Sequence, residues 1–224
     1  MNIVLNGSVA VGKSTLMKRL LEIMPEIFVF PEFIDENLIL STEEERTESL
    51  NLLNERFNGN LNPYVLQDHI LKRWEDYSER SKTIDRSRPR LFERLPDDSV
   101  EVFAKPIVTD DEYTQLQLHL VRVNRTLPSY HSMKGENTIW IDYHNHFTEK
   151  SVREVADLVK KYSTSMKNCV INIMNDHNYE NYIRRGRTEE KYTPDSMSDL
   201  NERYAVYLNS IKQEIKPVKE FFVE

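Results

Sequence analysis

A short stretch near the start of the chain constrains its fold more than any other feature. Residues 7–14 read Gly7-Ser8-Val9-Ala10-Val11-Gly12-Lys13-Ser14. They match the phosphate-binding pattern G-x-x-x-x-G-K-[ST] at every fixed position. The flanks agree, because residues 1–5 are an apolar run typical of a buried strand and residues 15–23 carry apolar side chains at helical spacing. The sequence therefore predicts a strand, a phosphate-binding loop and a helix, in that order.

The residue types of this phosphate loop (residues 7–14) suit a nucleoside triphosphate. Gly7 and Gly12 let the backbone curl, so that successive N–H groups point at an anion. The helix that begins near Thr15 adds the partial positive charge of its N-terminus. Lys13 is expected to reach the terminal phosphates and Ser14 to hold Mg²⁺. We therefore predict ATP and Mg²⁺ as ligands, with every residue from Gly7 to Thr15 in the nucleotide site.

Length and composition exclude several classes of protein. The 224 residues fit one domain, predicted to span residues 1–224, and the net charge of -7 argues against a nucleic-acid partner. No apolar run approaches the ~20 residues that cross a membrane. Because the first predicted strand begins at residue 1, we expect no signal peptide. The single cysteine, Cys169, excludes an internal disulfide. We expect a cytoplasmic protein, in the host cytoplasm if the source is viral.

Apolar runs alternate with helical patterns along the rest of the chain. Further strands are predicted at 27–30, 89–95, 138–142, 169–174 and 218–223, and further helices at 38–57, 64–77, 112–123, 152–162, 179–185 and 200–216. This alternation indicates an α/β fold of three layers with a mostly parallel sheet. Ligands of such sheets bind at the carboxyl ends of the strands, so polar side chains there are candidates for the site.

Charged side chains follow two of these strands. Glu32 comes after the second strand, and Glu93 and Arg94 end the third. A carboxylate at a strand end is suited to orient an attacking hydroxyl and to take its proton. A charged pair beside a phosphate site is costly unless it binds something. Taken singly, each of these side chains also fits an ordinary solvated acid or a surface ion pair.

A basic cluster stands out in this acidic chain. Residues 184–190 read Arg184-Arg185-Gly186-Arg187-Thr188-Glu189-Glu190. The planar fork of arginine binds phosphate through two hydrogen bonds, and several arginines together offset the charge of a transferring phosphoryl group. A solvated helix face is the competing interpretation.

Four motifs in this order resemble the deoxyribonucleoside kinases, a family that includes deoxycytidine, deoxyguanosine and insect-type multisubstrate kinases. The motifs are the phosphate loop, Phe30-Pro31-Glu32, Phe92-Glu93-Arg94-Leu95 and the basic cluster. The resemblance covers most of the chain except roughly residues 120–165. It implies a three-layer P-loop NTPase fold with a short arginine-rich lid at about residues 184–196. It also implies nucleotide salvage by transfer of the ATP γ-phosphate to the 5′-hydroxyl of a deoxynucleoside.

The resemblance assigns roles at the reacting phosphate. It implies that Glu32 is the general base for the 5′-hydroxyl. It also implies that Arg94 stabilises both the Glu32 carboxylate and the reacting hydroxyl. Glu93 belongs to the Mg²⁺ shell together with Ser14. In the lid, Arg185 and Arg187 would clamp the transferring phosphoryl group, and Arg184 would contact the nucleotide. Leu95 replaces the serine that is usual in this family.

The resemblance also assigns the acceptor site. Gln67 would pair with the nucleobase edge, Phe103 would sandwich the base and Glu190 would contact the sugar 3′-hydroxyl. The tyrosine that usually holds this hydroxyl is absent, and residues 56–58 read Arg-Phe-Asn instead. The family's tryptophan after the base glutamate is also replaced, by Asn37 or a neighbour. A homodimer is implied, and the apolar face around Ile70 and Trp74 permits one.

Two other functions remain open. A nucleoside monophosphate kinase of the thymidylate type would need a cation for the acceptor phosphate, for which Arg73 or Arg94 is available. A P-loop ATPase or ATP-binding switch would use Asp142, which follows an apolar run as the Mg²⁺-holding acid of such proteins does. His144 and His146 are too few to form a metal site by themselves.

Overall fold

A parallel six-stranded sheet forms the centre of the protein. The computed structural model describes residues 1–35, 39–85, 87–145 and 148–224. The strands are β1 (Asn2–Asn6), β2 (Phe28–Phe30), β3 (Arg90–Glu93), β4 (Thr138–His144), β5 (Asn168–Met174) and β6 (Lys219–Val223). Their order is β2-β3-β1-β5-β4-β6, and each neighbouring pair runs parallel. The predicted α/β fold with a mostly parallel sheet is confirmed.

The helices connect these strands. They are α1 (Lys13–Ile23), α2 (Glu43–Phe57), α3 (Pro63–Arg80), α4 (Pro96–Asp98), α5 (Asp110–Val123), α6 (Tyr130–Met133), α7 (Glu149–Tyr162), α8 (Asn178–Arg185) and α9 (Pro194–Ile215). A π-helical stretch, Ser99–Ala104, continues α4. Within the described residues, no helix is long and apolar enough to cross a membrane.

Helix α2 begins later than its sequence pattern indicated. The prediction placed its start at residue 38, whereas the first helical residue is Glu43. Thr42 caps the helix, because its hydroxyl accepts a 3.2 Å hydrogen bond from the Glu45 N–H and the Glu45 carboxylate accepts a 2.8 Å bond from the Thr42 N–H. This reciprocal capping box fixes the start of the helix, and apolar spacing does not reveal it.

Apolar side chains cover both faces of the sheet. Along β1, Val4 packs into one cluster while Ile3 and Leu5 pack into the other, as the alternation of a strand requires. The first cluster contains residues of α3, α5 and α9, and the second contains residues of α1 and α7. Cys169 is fully buried in the second cluster, and burial raises the pKa of its thiol. The sheet is therefore the middle of three layers.

The strand register brings three strand ends together. Leu5 of β1 pairs with Glu93 of β3, and Phe30 of β2 pairs with Phe92. The segments that follow these strands therefore start from the same edge of the sheet. Those segments are the phosphate loop and the two charged motifs predicted to form the site.

Candidate active site

The phosphate loop curls between β1 and α1. Gly7 has a φ of 134°, and a Cβ atom there would lie 2.4 Å from the carbonyl oxygen of Ile173, so only glycine fits. The Nζ of Lys13 donates hydrogen bonds to the carbonyls of Gly7 (3.2 Å) and Ser8 (2.7 Å). Burial and the nearby Arg94 cation lower the pKa of Lys13 well below its ordinary value. The buried ammonium therefore lacks a full set of compensating charges, and an anion in the loop would supply one.

Ser14 and Glu93 form a polar pair beside the loop. The Ser14 hydroxyl donates a 2.8 Å hydrogen bond to Oε1 of Glu93. The other carboxylate oxygen of Glu93 is buried and has no hydrogen-bond partner among the described residues. Burial raises the pKa of Glu93 despite the nearby Lys13 cation, which indicates that burial outweighs the counter-charge around this carboxylate. A hydroxyl and a carboxylate are oxygen ligands of the kind that Mg²⁺ takes, so the pair fits this ion.

Glu32 and Arg94 form an ion pair at the ends of β2 and β3. Arg94 adopts a φ of 70°, a backbone conformation that residues other than glycine rarely adopt. Its N–H donates a 2.9 Å hydrogen bond to the carbonyl of Leu5. Its guanidinium carbon lies 5.3 Å from the ring centre of Phe103 and 5.8 Å from that of Tyr204. Strained backbone of this kind persists only where the surroundings enforce it.

A buried carboxylate supports this strained turn from behind. Asp98 accepts a 2.9 Å hydrogen bond from the Leu95 N–H and a 3.2 Å bond from the Asn6 amide. Asn6 in turn accepts a 2.6 Å bond from the Gly7 N–H. Burial raises the pKa of Asp98 to about 6. Asp98 therefore ties the start of the phosphate loop to the residue that follows Arg94.

One cavity of about 930 Å³ collects these groups. The predicted residues that line it are Val9, Ala10, Gly12, Lys13, Ser14, Thr15, Glu32, Gln67, Glu93, Arg94, Phe103, Arg184, Arg185, Arg187 and Glu190. Gly7, Ser8 and Val11 belong to the loop that forms its wall. All four motifs of the sequence therefore meet at a single site.

Besides Glu93, two further side chains in the cavity carry oxygens without a partner in the described part of the chain. Oε1 of Gln67 on α3 is buried and accepts no hydrogen bond there. The same holds for Oε2 of Glu190, whose Oε1 lies 3.5 Å from Arg187. Burial and the neighbouring Arg187 lower the pKa of Arg185. Unpartnered buried acceptors are costly, and a bound ligand with suitable donors would remove that cost.

Of the residues behind the competing functions, Arg94 lines the cavity, whereas Asp142 and Arg73 do not. Asp142 on β4 bonds to Lys212 and Asn172 at 2.8 Å each, and it is not among the described residues that line the cavity. Arg73 is occupied by Glu45 at 2.8 Å and Asp76 at 2.6 Å.

The structure also bears on the predicted dimer face, the histidines and Asn37. The face of Ile70 and Trp74, which permits a homodimer on the sequence alone, lines the cavity, and Trp74 is buried, so this face offers little exposed surface to a second copy. His144 bonds to Asp176, and in the described ranges no group of three His, Cys, Asp or Glu side chains is placed to hold a metal ion. Asn37 and His146 lie outside the described residues.

Sequence reasoning missed several lining residues, among them Ser99, Asn181 and Arg203. Arg203 stands three residues after Leu200 on α9, which also lines the cavity, so helical spacing was an available signal. Arg203 is held by a 3.1 Å hydrogen bond from its guanidinium to the carbonyl of Val102. Ser99 lies in a π-helical stretch, whose geometry neither helical nor strand spacing predicts.

The sheet and the site together define a P-loop phosphotransferase. A family model described as deoxynucleoside kinase matches residues 3–144, more than half of the chain. No curated protein sequence matches significantly. Two solved structures of the deoxyadenosine kinase from M. mycoides align with 100% of this chain and 90% of theirs, each at a TM-score of 0.56. One, with bound dCTP, is 15% identical, and the other, with the products dCMP and a flexible dCDP, is 14% identical.

This chain belongs to the deoxynucleoside kinase family. The similarity to the solved structures, at such low identity, establishes the fold alone, whereas the family match establishes the class of enzyme. The protein is an ATP-dependent kinase that phosphorylates deoxynucleosides. The resemblance inferred from the four motifs is confirmed.

Proposed function

We propose that this kinase uses Glu32 as the general base for the 5′-hydroxyl of a deoxynucleoside. The observation that carries the proposal is the Glu32–Arg94 ion pair, which lines the same cavity as the phosphate loop. Glu32 accepts the hydroxyl proton as the oxygen attacks the γ-phosphorus. Arg94 orients the carboxylate and stabilises charge on the reacting oxygens. The strained backbone of Arg94 fixes this orientation before substrate arrives.

The donor site is formed by the phosphate loop. Backbone N–H groups from Ser8 to Thr15 hold the phosphates, while Gly7 shapes the loop and donates its own N–H to Asn6. Lys13 leaves its carbonyl contacts to bind the terminal phosphates. Ser14 and Glu93 would hold Mg²⁺, an assignment supported by the unpartnered oxygen of Glu93. When bound, Mg²⁺ neutralises charge on the phosphates.

The basic cluster acts as a lid over the transferred group. We propose that residues 184–196 form this lid within a single domain of residues 1–224. Arg185 and Arg187 clamp the phosphoryl oxygens, and Arg184 contacts the nucleotide. Burial and mutual repulsion of Arg185 and Arg187 support this role, because an anion between them would relieve both penalties.

The acceptor nucleoside occupies the other end of the cavity. Gln67 pairs with the base edge, since an amide offers both a donor and an acceptor. Phe103 packs on the base, and Glu190 accepts a hydrogen bond from the 3′-hydroxyl. The unpartnered oxygens of Gln67 and Glu190 support these assignments.

We also propose a cytoplasmic homodimer without a nucleic-acid partner. The apolar side chains of Leu118 and Val121, three residues apart on α5, are both more than half exposed and offer a surface for a second copy. Sedimentation of wild type and of Leu118→Glu tests the dimer. A monomeric wild type contradicts it.

Phosphate transfer from ATP–Mg²⁺ tests the proposed function. Each of the four deoxynucleosides is offered as acceptor, with thymidine monophosphate in the same panel. Transfer to at least one nucleoside is expected, and the ranking gives the base preference. Transfer only to the monophosphate indicates a nucleotide kinase. Hydrolysis without an acceptor indicates a P-loop ATPase and removes the roles of Glu32, Arg94 and Gln67.

A further inference from the structure

Every carbonyl of the phosphate loop from Gly7 to Gly12 accepts a hydrogen bond from another group of the protein. The Nζ of Lys13 donates hydrogen bonds to the carbonyls of Gly7 and Ser8, and the N–H of Leu16 donates a 2.9 Å bond to the carbonyl of Gly12. The three central carbonyls are served by asparagine side chains: Asn178 donates to Val9 at 3.1 Å, Asn181 to Ala10 at 3.4 Å and Asn145 to Val11 at 2.9 Å. We call these three asparagines the asparagine clamp.

The clamp reaches the loop from two sides. Asn145 directly follows β4, in the segment that the family motifs do not cover. Asn178 and Asn181 lie on α8, the helix that ends at Arg185. Asn145 and Asn178 are both about 5% exposed or less. All three residues lie beyond residue 144, where the family match ends.

Other side chains fix which way two of the clamp amides point. Asn178 and Asn201 of α9 exchange hydrogen bonds of 2.9 and 3.2 Å, so the amide of Asn178 keeps its donor towards the loop. The carbonyl oxygen of the Asn145 side chain accepts a 3.0 Å bond from the Tyr143 hydroxyl. An amide whose oxygen is held in this way keeps its Nδ2 group directed at the loop carbonyl.

Holding a carbonyl outward turns the next N–H inward. In a trans peptide the C=O of one residue and the N–H of the next point in opposite directions. By holding the Val9 carbonyl, Asn178 therefore directs the N–H of Ala10 towards the cavity. By holding the Ala10 carbonyl, Asn181 directs the N–H of Val11 in the same way. Ala10 also has a φ of 58°, which costs energy for a residue with a Cβ atom. The clamp holds the loop in a conformation that it would not keep unaided.

We propose that Asn145, Asn178 and Asn181 are positioning residues that preorganise the phosphate loop for ATP. Through Asn178 and Asn181, the helix that carries the lid arginines also holds the loop, so the two phosphate-binding elements move together. This inference rests on the proposed donor site. It assigns a role to the end of β4 and to α8 that the four motifs do not describe.

Asn178→Leu and Asn181→Leu test the clamp. Each substitution removes the amide donor and leaves a carbonyl of the loop unpaired. We expect the Kd for ATP, measured by calorimetry without a nucleoside, to rise about tenfold, while the KM for the nucleoside changes less than about twofold. Asn172→Leu is the matched control, because its amide donates to Asp142 instead of the loop. The control is expected to bind ATP as wild type does.

A double-mutant cycle separates positioning from general stability. Asn201→Leu releases the Asn178 amide without removing a contact to the loop, and we expect a smaller rise in the Kd for ATP. Added to Asn178→Leu, it is expected to change that Kd by less than about twofold, because it acts through Asn178. If Asn178→Leu does not fold, Asn181→Leu and Asn201→Leu carry the test. Unchanged ATP binding in the folded variants overturns the clamp, whereas a wild type that binds no ATP overturns the proposed donor site itself.

Discussion

The Ser14 hydroxyl donates a 2.8 Å hydrogen bond to Glu93 and so joins the first turn of α1 to the end of β3. Both residues lie at the carboxyl edge of the sheet, and the free oxygen of Glu93 has no partner in the described ranges. The pair is a preformed set of oxygen ligands. A divalent cation would complete it and relieve the burial penalty on the carboxylate.

Glu93→Gln tests the proposed Mg²⁺ site. The amide keeps the shape of the side chain and removes its charge. We expect the Mg²⁺ concentration for half-maximal rate to rise about tenfold to a hundredfold. Titration of activity with Mg²⁺ at saturating ATP measures this shift. Glu22→Gln, on the exposed part of α1, serves as the control, and an unshifted Mg²⁺ requirement in Glu93→Gln contradicts the site.

Glu32→Gln tests the general base. Loss of the carboxylate removes the proton acceptor and leaves the phosphate loop untouched. We expect kcat to fall about 10²- to 10⁴-fold, with little change in the Kd for ATP. Steady-state kinetics measures the fall in kcat, and calorimetry measures the Kd for ATP. Glu26→Gln, at an exposed position before β2, is the matched control. Unchanged turnover removes Glu32 as the base.

Gln67→Leu tests the base-edge contact. The substitution removes the amide that would pair with the nucleobase, so we expect the KM for the nucleoside to rise about tenfold and the KM for ATP to stay constant. The Tm of the free protein is not expected to fall, because the lost oxygen has no partner in the described structure. Gln115→Leu on the exposed face of α5 is the control. A rise in both KM values argues against the assignment.

Asp97→Asn tests the cost of a buried carboxyl group. Burial, reinforced by the adjacent Asp98, raises the pKa of Asp97 to about 7. An unfolded Asp titrates near 3.9. Between about pH 4 and 7 the folded protein therefore binds more protons than the unfolded chain, and stability falls as pH rises. We expect the variant to gain on the order of 1–3 kcal/mol in unfolding free energy at about pH 8 and less towards pH 4.

Urea denaturation of wild type and of Asp97→Asn at both ends of this window measures that gain. Asp157→Asn, at an exposed position of α7, controls for the loss of one negative charge. A stability gain that is equal at acid and alkaline pH would show that Asp97 does not titrate as inferred.

The sequence predicts the sheet and the four motifs because both depend on local patterns. Strands such as β4 and β5 are apolar runs, and the phosphate loop is a contiguous signature. The start of α2 at Glu43 was missed because capping by Thr42 overrides apolar spacing. The position of β4 between β5 and β6 depends on long-range pairing that no local pattern records.

The asparagine clamp shows why part of the site escapes sequence reasoning. Asn178 and Asn181 stand three residues apart, as one helix face requires, yet asparagine at such spacing usually has no special meaning. Asn145 is remote in sequence from both. Only the fold shows that their amides meet neighbouring carbonyls of one loop.

The central position of β1 has a consequence for how the protein is made. Asn2 of β1 bonds to Asn168 of β5, 166 residues later in the chain. While the chain emerges from the ribosome, one edge of β1 stays unpaired until β5 has been synthesised, and long-range pairing of this kind is slow. The partners of the loop carbonyls on α8 appear later still. We therefore expect a nascent chain to acquire ATP binding only after α8 has emerged, so that nucleotide capture reports the pairing of β1 with β5.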